Sequence, residues 1–438
     1  EGDSAVYIYD RYDVWKVDPT LKKAPQKLVS GRAQKNIFRY VKVDPEERFI
    51  TSGQTLYFRV QNAATKVSNI YFVTPSGKKA RWLTPYSKYH YAVFQKARDA
   101  NAFLYSRENY LSSPNLFVVK TAHNNFEKLT SEDVAAIQLT DLNPQQEDYI
   151  WGTAELYKWT ALNGKPATGI LYKPEDFDPK KKYPMLIYFY EKLSDGLFTY
   201  QAPSPTPSRL NIPFFVSRGY LVFAPDISYT KGGPGKDAYN YIVSGAQALS
   251  KNSWVDGKNI GIQGQSWGGY QVAHLITRTN MFKAAWAGAP VVNMTSAYGG
   301  IRWESGNNRQ FQYEKGQSRI GASLWERPDL YIENSPLFHL PKVKTPIVIM
   351  ANDADGAVPW YQGIEMFTAL RRLGKQVWML NYNGEAHNLV ERKNRKDISK
   401  RQQEYFDWLL KGAAPTPWIT EGVPAVKKGR EWGLGTQF

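Results

Sequence analysis

Between Met185 and Tyr382 the sequence repeats one pattern, in which a short apolar run gives way to a stretch of helical periodicity and then to another run. The runs are Met185–Tyr190, Tyr220–Pro225, Ile260–Gln263, Ala284–Gly288, Pro346–Ala351 and Val377–Tyr382. Strands without polar alternation need cover on both faces, and strands separated by helices join most simply as parallel neighbours. The pattern therefore predicts a mostly parallel sheet with helices on both sides, entered through a strand pair at Leu156–Thr160 and Thr168–Tyr172. This α/β domain is expected over 143–412. In such sheets reacting groups collect at the carboxyl ends of the strands. Residues 413–438, with Pro415, Pro417 and Pro424, read as an extended tail.

The first 142 residues are of another kind. Short alternating segments bounded by turn residues, without a long helical period, predict an all-β region. Three segments echo one another: Asp13-Val14-Trp15-Lys16-Val17, Asn69-Ile70-Tyr71-Phe72-Val73 and Asn115-Leu116-Phe117-Val118-Val119. About 13 residues after each comes a second echo: Lys27-Leu28-Val29, Trp82-Leu83-Thr84 and Lys128-Leu129-Thr130. From position 13 to 69 and from 69 to 115 the echoes lie 56 and 46 residues apart, near the length of a four-stranded propeller blade. Two or three blades cannot close a ring of four to eight, so 1–142 reads as the last blades of an incomplete β-propeller, with an ordinary antiparallel sheet domain as the alternative. The chain starts at Glu1, not Met, inside strand-like sequence, which suggests processing or a missing upstream part.

Composition removes several chemistries. With no cysteine, disulfides, thiolate zinc sites and cysteine nucleophiles are excluded. The 56 Lys and Arg against 40 Asp and Glu raise the question of nucleic acid, but the basic residues are not interleaved with aromatics along one face. Arg392, Lys393, Arg395, Lys396, Lys400 and Arg401 instead flank a helical stripe of Ile398, Tyr405 and Leu409 and are expected on its solvated side. No run of eighteen apolar residues occurs and EGDSAVYIYD lacks a leader's basic start, so neither a membrane span nor a signal peptide is expected.

One stretch carries a chemical signal. Gly264-Gln265-Ser266-Trp267-Gly268-Gly269-Tyr270 lies between the apolar run Ile260–Gln263 and a helical segment opening at Gln271. A serine on a sharp strand-to-helix turn, with glycines that let the backbones close, is a nucleophile elbow, and the helix start points donors at a forming oxyanion. Serine needs a base, and in this architecture the acid and histidine follow it in the chain. His90 and His123 lie upstream, His274 falls two turns along the same helix, and His339 sits in an apolar-flanked loop. His387, in the glycine-containing loop after Val377–Tyr382, is the candidate base. The run Pro346–Ala351 ends in Asn352-Asp353-Ala354-Asp355, and either aspartate could orient the imidazole.

At these residues the chain resembles the prolyl oligopeptidase family, serine peptidases that pair an α/β-hydrolase domain with a β-propeller. Gly264–Tyr270 is similar to the family's G-x-S-Y-G-G with Trp267 in the tyrosine position, Asp355-Gly356-Ala357-Val358-Pro359 to D-x-x-V-P, and Glu385-Ala386-His387 to E-x-H. The resemblance covers about 143–412. It implies Ser266, Asp355 and His387 as the triad, which leaves Asp353 to cap a loop, and Tyr190 with the Trp267 amide as oxyanion hole. It also implies a first specificity pocket from Val291, Val292, Met294, Ala297, Tyr298 and Val358, apolar enough for proline or another small apolar residue. Departures are Glu191-Lys192 in place of glycines, Ala351-Asn352 in place of His-Gly, and Ala357 in place of the Asn or Arg that clamps the substrate backbone.

The expected function is thus hydrolysis of oligopeptides through an acyl-enzyme, without metal or cofactor. An esterase of the same fold and a silent binding protein are the alternatives. Partners beyond the peptide would be a second copy or the missing part of the propeller. Exported relatives point to the periplasm or secretion, with the cytoplasm as the alternative.

Overall fold

The computed structural model describes residues 3–74, 80–84, 88–120 and 135–434. It divides into two compact units, one of 1–149 with 195–202 and one of 150–194 with 203–438. The expected boundary at 142/143 thus falls at Tyr149, and Asp195–Ala202 joins the first unit, where Asp195 meets Lys66 Nζ at 2.7 Å.

Among its described residues the first unit holds three antiparallel sheets. Val6–Tyr9, Val14–Val17 and Gln26–Val29 form a three-stranded one; Asn36–Tyr40, Leu56–Asn62, Ser68–Val73 and Ala80–Trp82 the second; His90–Lys96, Ala102–Glu108, Asn115–Lys120 and Ala136–Gln138 the third. Each follows chain order, as blades do. Successive sheets share apolar clusters: Val14, Val29, Phe38, Phe58 and Val73 join the first two, and Tyr57, Phe72, Phe94, Phe103 and Phe117 the second and third.

The echoes are the inner strands of these sheets, and a hydrogen-bond pattern explains their similarity. Ile70 N–H donates to Thr84 Oγ1 (3.0 Å) and Leu83 N–H to the Ile70 carbonyl (2.8 Å); Leu116 N–H donates to Thr140 Oγ1 (2.9 Å) and Leu139 N–H to the Leu116 carbonyl (2.8 Å). The counterpart of Trp82-Leu83-Thr84 is therefore Gln138-Leu139-Thr140. The expected Lys128-Leu129-Thr130 lies outside the described residues.

The second unit is built on one eight-stranded sheet. Its strands are β1 (Thr153–Thr160), β2 (Pro166–Lys173), β3 (Tyr183–Tyr188), β4 (Leu221–Pro225), β5 (Val255–Gln265), β6 (Ala284–Gly288), β7 (Ile347–Met350) and β8 (Val377–Leu380). Their order is β1-β2-β4-β3-β5-β6-β7-β8, antiparallel at β1-β2 and β2-β4 and parallel from β4 to β8. Alternate residues feed two cores. Met185, Ile187, Phe223, Ile262, Ala287 and Ile349 pack with Ala238, Tyr241, Val272 and Met366 of the helices Pro234–Leu249, Trp267–Ile276 and Tyr361–Arg372. On the opposite face the rings of Trp286 and Tyr405 meet at 6.0 Å, and a Cβ on Gly261 would lie 2.9 Å from both Leu186 and Leu410. This is the mostly parallel, doubly covered sheet that the apolar pattern predicts and the α/β-hydrolase fold that the family resemblance implies, preceded by an all-β segment.

The helix Arg392–Lys411 corrects two expectations. Its buried stripe runs through Ile398, Tyr405, Phe406 and Leu410 instead of Leu409. Arg401, expected among the solvated basic residues, is buried, because its guanidinium pairs with Asp397 at 2.7 Å and donates to the Trp432 carbonyl at 2.8 Å. That carbonyl belongs to the segment expected to be an extended tail. It turns instead through the one-turn helix Pro417–Thr420, whose Trp418 and Ile419 are buried. No helix among the described residues is long and apolar enough to cross a membrane.

Candidate active site

β5 ends at Gln265 and the following helix begins at Trp267, so Ser266 alone makes the turn. Its backbone has φ 60° and ψ −116°, a region that L-residues rarely occupy. Ser266 N–H donates to the Gly288 carbonyl at 2.8 Å, and Tyr270 N–H to the Ser266 carbonyl at 3.0 Å. The glycines serve this closure through close approach of backbones. A Cβ on Gly268 would sit 2.5 Å from the Phe189 carbonyl oxygen, one on Gly264 would collide with the Gly268 backbone, and one on Gly269 with the Gly288 carbonyl. Trp267 opens the helix, so its N–H has no intrahelical acceptor. Its indole is buried, stacks on Tyr270 at 4.6 Å and donates from Nε1 to Tyr229 Oη at 2.9 Å.

At the carboxyl end of β7 the two aspartates separate. Asp355 Oδ1 accepts the amides of Ala357 and Val358, each at 2.8 Å, while Oδ2 meets His387 Nδ1 at 2.7 Å. Its side chain is 2 % exposed. An ionised carboxylate can only accept, so Nδ1 carries the hydrogen and Nε2 keeps a lone pair. Asp353 turns the other way: its carboxylate accepts Gly384 N–H and Asn383 Nδ2, each at 2.7 Å. The Gly384 amide and the Asn383 side chain hold that carboxyl below its usual range.

The histidine loop is held from four sides. Asp353 ties its start. Asn352 accepts Tyr382 N–H at 3.2 Å and donates to the Ala386 carbonyl at 2.8 Å, which gives the departure from His-Gly a purpose. Glu385 accepts the amides of Val390 (2.6 Å) and Glu391 (3.0 Å) and the side chain of Asn394 (2.6 Å). Burial pushes the Glu385 carboxyl up, but these three donors outweigh it and leave a net lowering. Finally Gln265, next to the serine, donates from Nε2 to the His387 carbonyl at 2.8 Å. The serine turn and the histidine loop are thereby tied by a side chain bonded to backbone.

The other histidines are engaged elsewhere. His274 is 3 % exposed, its ring lies against Gly235, and burial first, with Arg278 adding, pushes its pKa down to about 3. His339 Nε2 lies 3.2 Å from the Glu333 carbonyl. His90 belongs to the first unit, and His123 falls outside the described residues.

Tyr190 lies two residues past the end of β3 and not on the strand. Its carbonyl accepts Gln271 Nε2 at 2.7 Å and its hydroxyl oxygen accepts Gln317 Nε2 at 3.0 Å. Val291, Met294, Ala297, Tyr298 and Val358 are buried in one cluster with Trp267, Tyr270, Tyr313 and Tyr331, against which Tyr190 packs. Val292 is the exception among the expected pocket residues. It is fully buried in the main core with Ile349 and Met366, because the chain alternates faces after β6.

Sequence reasoning missed three residues of the segment between β6 and β7. Arg309, 1 % exposed, donates to the Ala357 carbonyl and, at 3.1 Å, to Tyr313 Oη; a cation thus braces the Asp355 loop from outside the D-x-x-V-P motif. Gln317 reaches Tyr190. Arg319 pairs with both oxygens of Glu191 at 3.2 Å. No periodicity marks this segment, so only its length between two strands signals a role.

Residues 207–413 match the model of the prolyl oligopeptidase family. The chain is 25 % identical over 367 residues to dipeptidyl-peptidase 5 of Porphyromonas endodontalis, spanning 78 % of this chain and 48 % of that one. With an uncharacterized peptidase of Bacillus subtilis the identity is 21 % over 278 residues, 62 % of this chain and 41 % of that one. The chain thus spans about half the length of the curated relatives it matches. Among solved structures, Porphyromonas gingivalis dipeptidyl peptidase 4 is similar in fold at a TM-score of 0.67 and 18 % identity, over 90 % of this chain and 52 % of that one. An acylaminoacyl peptidase of Pyrococcus horikoshii is similar at 0.65 and 17 %, over 93 % and 68 %. The strand order, the elbow and the family match agree: this chain carries a prolyl oligopeptidase family domain.

Proposed function

We propose that the chain is the catalytic part of a serine peptidase that hydrolyses oligopeptides through an acyl-enzyme. Ser266 Oγ attacks the scissile carbonyl while His387 Nε2 takes its proton, a general-base step of about 10²–10⁴ in rate. Asp355 fixes the tautomer and faces the imidazolium that forms. The tetrahedral oxyanion is held by the Tyr190 hydroxyl and the Trp267 N–H, each such donor being worth about 3 kcal/mol in comparable sites. His387 then returns the proton to the leaving amine. Water, deprotonated by the same imidazole, attacks the ester, and collapse of the second intermediate releases the acid and restores Ser266. The cluster of Val291, Met294, Ala297, Tyr298 and Val358 around Trp267 suits an apolar side chain just before the scissile bond.

The observation that carries this reading is the 2.7 Å bond between His387 Nδ1 and a buried Asp355 whose other oxygen is filled by two amides. Such a carboxylate cannot turn away, so the imidazole keeps Nε2 as its base. Supporting it, the relatives that match include proteins named dipeptidyl peptidases and an acylamino-acid-releasing enzyme. The test is turnover of chromogenic dipeptidyl anilides ending in proline, alanine or a larger residue. His387→Ala should lower it by several orders of magnitude and His274→Ala should leave most of it; equal losses would void the assignment of the base.

A further inference from the structure

The Tyr190 hydroxyl has one hydrogen to give, and where it points decides whether it can serve an oxyanion. Its oxygen is already an acceptor, taking Gln317 Nε2 at 3.0 Å. The amide fills one lone pair of the phenol oxygen, so the phenolic hydrogen must point elsewhere. By drawing density from that oxygen, the amide also makes the O–H a better donor.

Gln317 is itself fixed by a closed circuit that returns to the residue after Tyr190. The Arg319 guanidinium donates to the Gln317 carbonyl and pairs with both oxygens of Glu191 at 3.2 Å. It lies over the Tyr229 ring at 4.8 Å. The backbone on both sides is pinned: Gly232 N–H donates to the Arg319 carbonyl at 2.8 Å, Ser318 N–H to the Gln312 carbonyl at 3.0 Å and Ile227 N–H to the Glu191 carbonyl at 2.7 Å. Arg319 has φ 52°, a left-handed conformation for a non-glycine residue, which persists only where surroundings enforce it. Here they enforce the reach of Gln317 to the phenol.

We infer that Gln317 is a positioning residue for the reaction: it aims the Tyr190 hydroxyl at the oxyanion, and the Glu191–Arg319 pair holds it there. The inference rests on the reading of Tyr190 as an oxyanion donor and adds what that reading lacks, a reason for the hydroxyl to face the substrate. It also gives a role to Glu191, which stands where the family's glycines are expected.

The test is a double-mutant cycle on the whole chain with a dipeptidyl p-nitroanilide, comparing kcat and KM. Gln317→Leu should lower kcat about three- to tenfold, the range of one net hydrogen bond, with KM within twofold. In a Tyr190→Phe background the same change should cost nothing further. Gln317→Glu, isosteric and so safe for the fold, should lower kcat at least as far, because a carboxylate accepts the phenolic hydrogen and turns it from the substrate. Equal losses with and without the Tyr190 hydroxyl would overturn the inference, as would a Gln317→Glu enzyme with undiminished kcat. Both outcomes leave the role of Tyr190 standing if Tyr190→Phe is itself slow. A Tyr190→Phe enzyme as fast as wild type would instead remove the underlying reading and this inference with it.

Discussion

Replacing Ser266 with glycine should make the protein more stable than replacing it with alanine, although both remove the nucleophile. At φ 60° and ψ −116° a residue with a Cβ carries about 1–3 kcal/mol of backbone strain. Alanine keeps the Cβ and therefore the strain; glycine releases it. Against that gain, glycine loses more freedom on folding, about 0.5–1 kcal/mol. The balance is roughly 0–2.5 kcal/mol, centred near 1 kcal/mol, in favour of Ser266→Gly, and at about 2–4 °C per kcal/mol for a domain of this size the midpoint should differ by roughly 2–4 °C. Because the chain has two units, the measurement should follow the second unit, through amide exchange of peptides spanning β5 and the elbow helix during a urea titration. A Ser266→Gly protein less stable than Ser266→Ala would contradict this, since the turn would then be unstrained and its serine not held by the surrounding backbone.

Two further outcomes follow from side chains already placed. Asp355→Asn offers His387 Nδ1 an amide in place of a full acceptor and should lower kcat by about four orders of magnitude, whereas Asp353→Asn, which only loosens the Asn383-Gly384 turn, should cost less than about threefold; similar losses would contradict the separation of the two aspartates. His274 should make the fold sensitive to acid. With its folded pKa near 3 and an ordinary value of 6.5, the unfolded chain binds the proton first, so this contribution is intact above about pH 6.5 and is lost as pH falls toward 3. By pH 5 the loss is about 2 kcal/mol, and a His274→Gln protein whose stability falls equally steeply between pH 7 and 5 would contradict it.

What could be read in the sequence follows the range of the interactions involved. The strands were legible because burial on both faces imposes apolar runs, and β6, Ala284–Gly288, is found with the bounds its run predicts. The elbow was legible because close backbone approach at Gly264, Gly268 and Gly269 admits no side chain. Tyr190 falls beyond β3 because an apolar run does not say where the ladder stops. Val292 and Leu409 were misplaced for a related reason: one residue along a chain changes the face, and apolarity alone does not fix the phase. Arg401 looked like a surface charge because its partner Asp397 is a turn away and its second acceptor, the Trp432 carbonyl, 31 residues on. Gln317, Arg319 and Arg309 were invisible for the same cause. Each acts through partners 48 to 128 residues distant, and no local spacing encodes such a contact. In the third blade the threonine matching Thr84 is Thr140 and not Thr130, because similarity between short segments does not fix the length of chain that separates them.

The proposed chemistry depends most on Ser266 being the nucleophile. Incubating the wild-type chain with a fluorophosphonate and locating the adduct by peptide mass spectrometry tests this directly. The expected result is one adduct on the peptide that carries Gly264–Tyr270, absent from Ser266→Ala and strongly slowed in His387→Ala. A wild-type protein that stays unmodified, or an adduct that persists in Ser266→Ala, would contradict it.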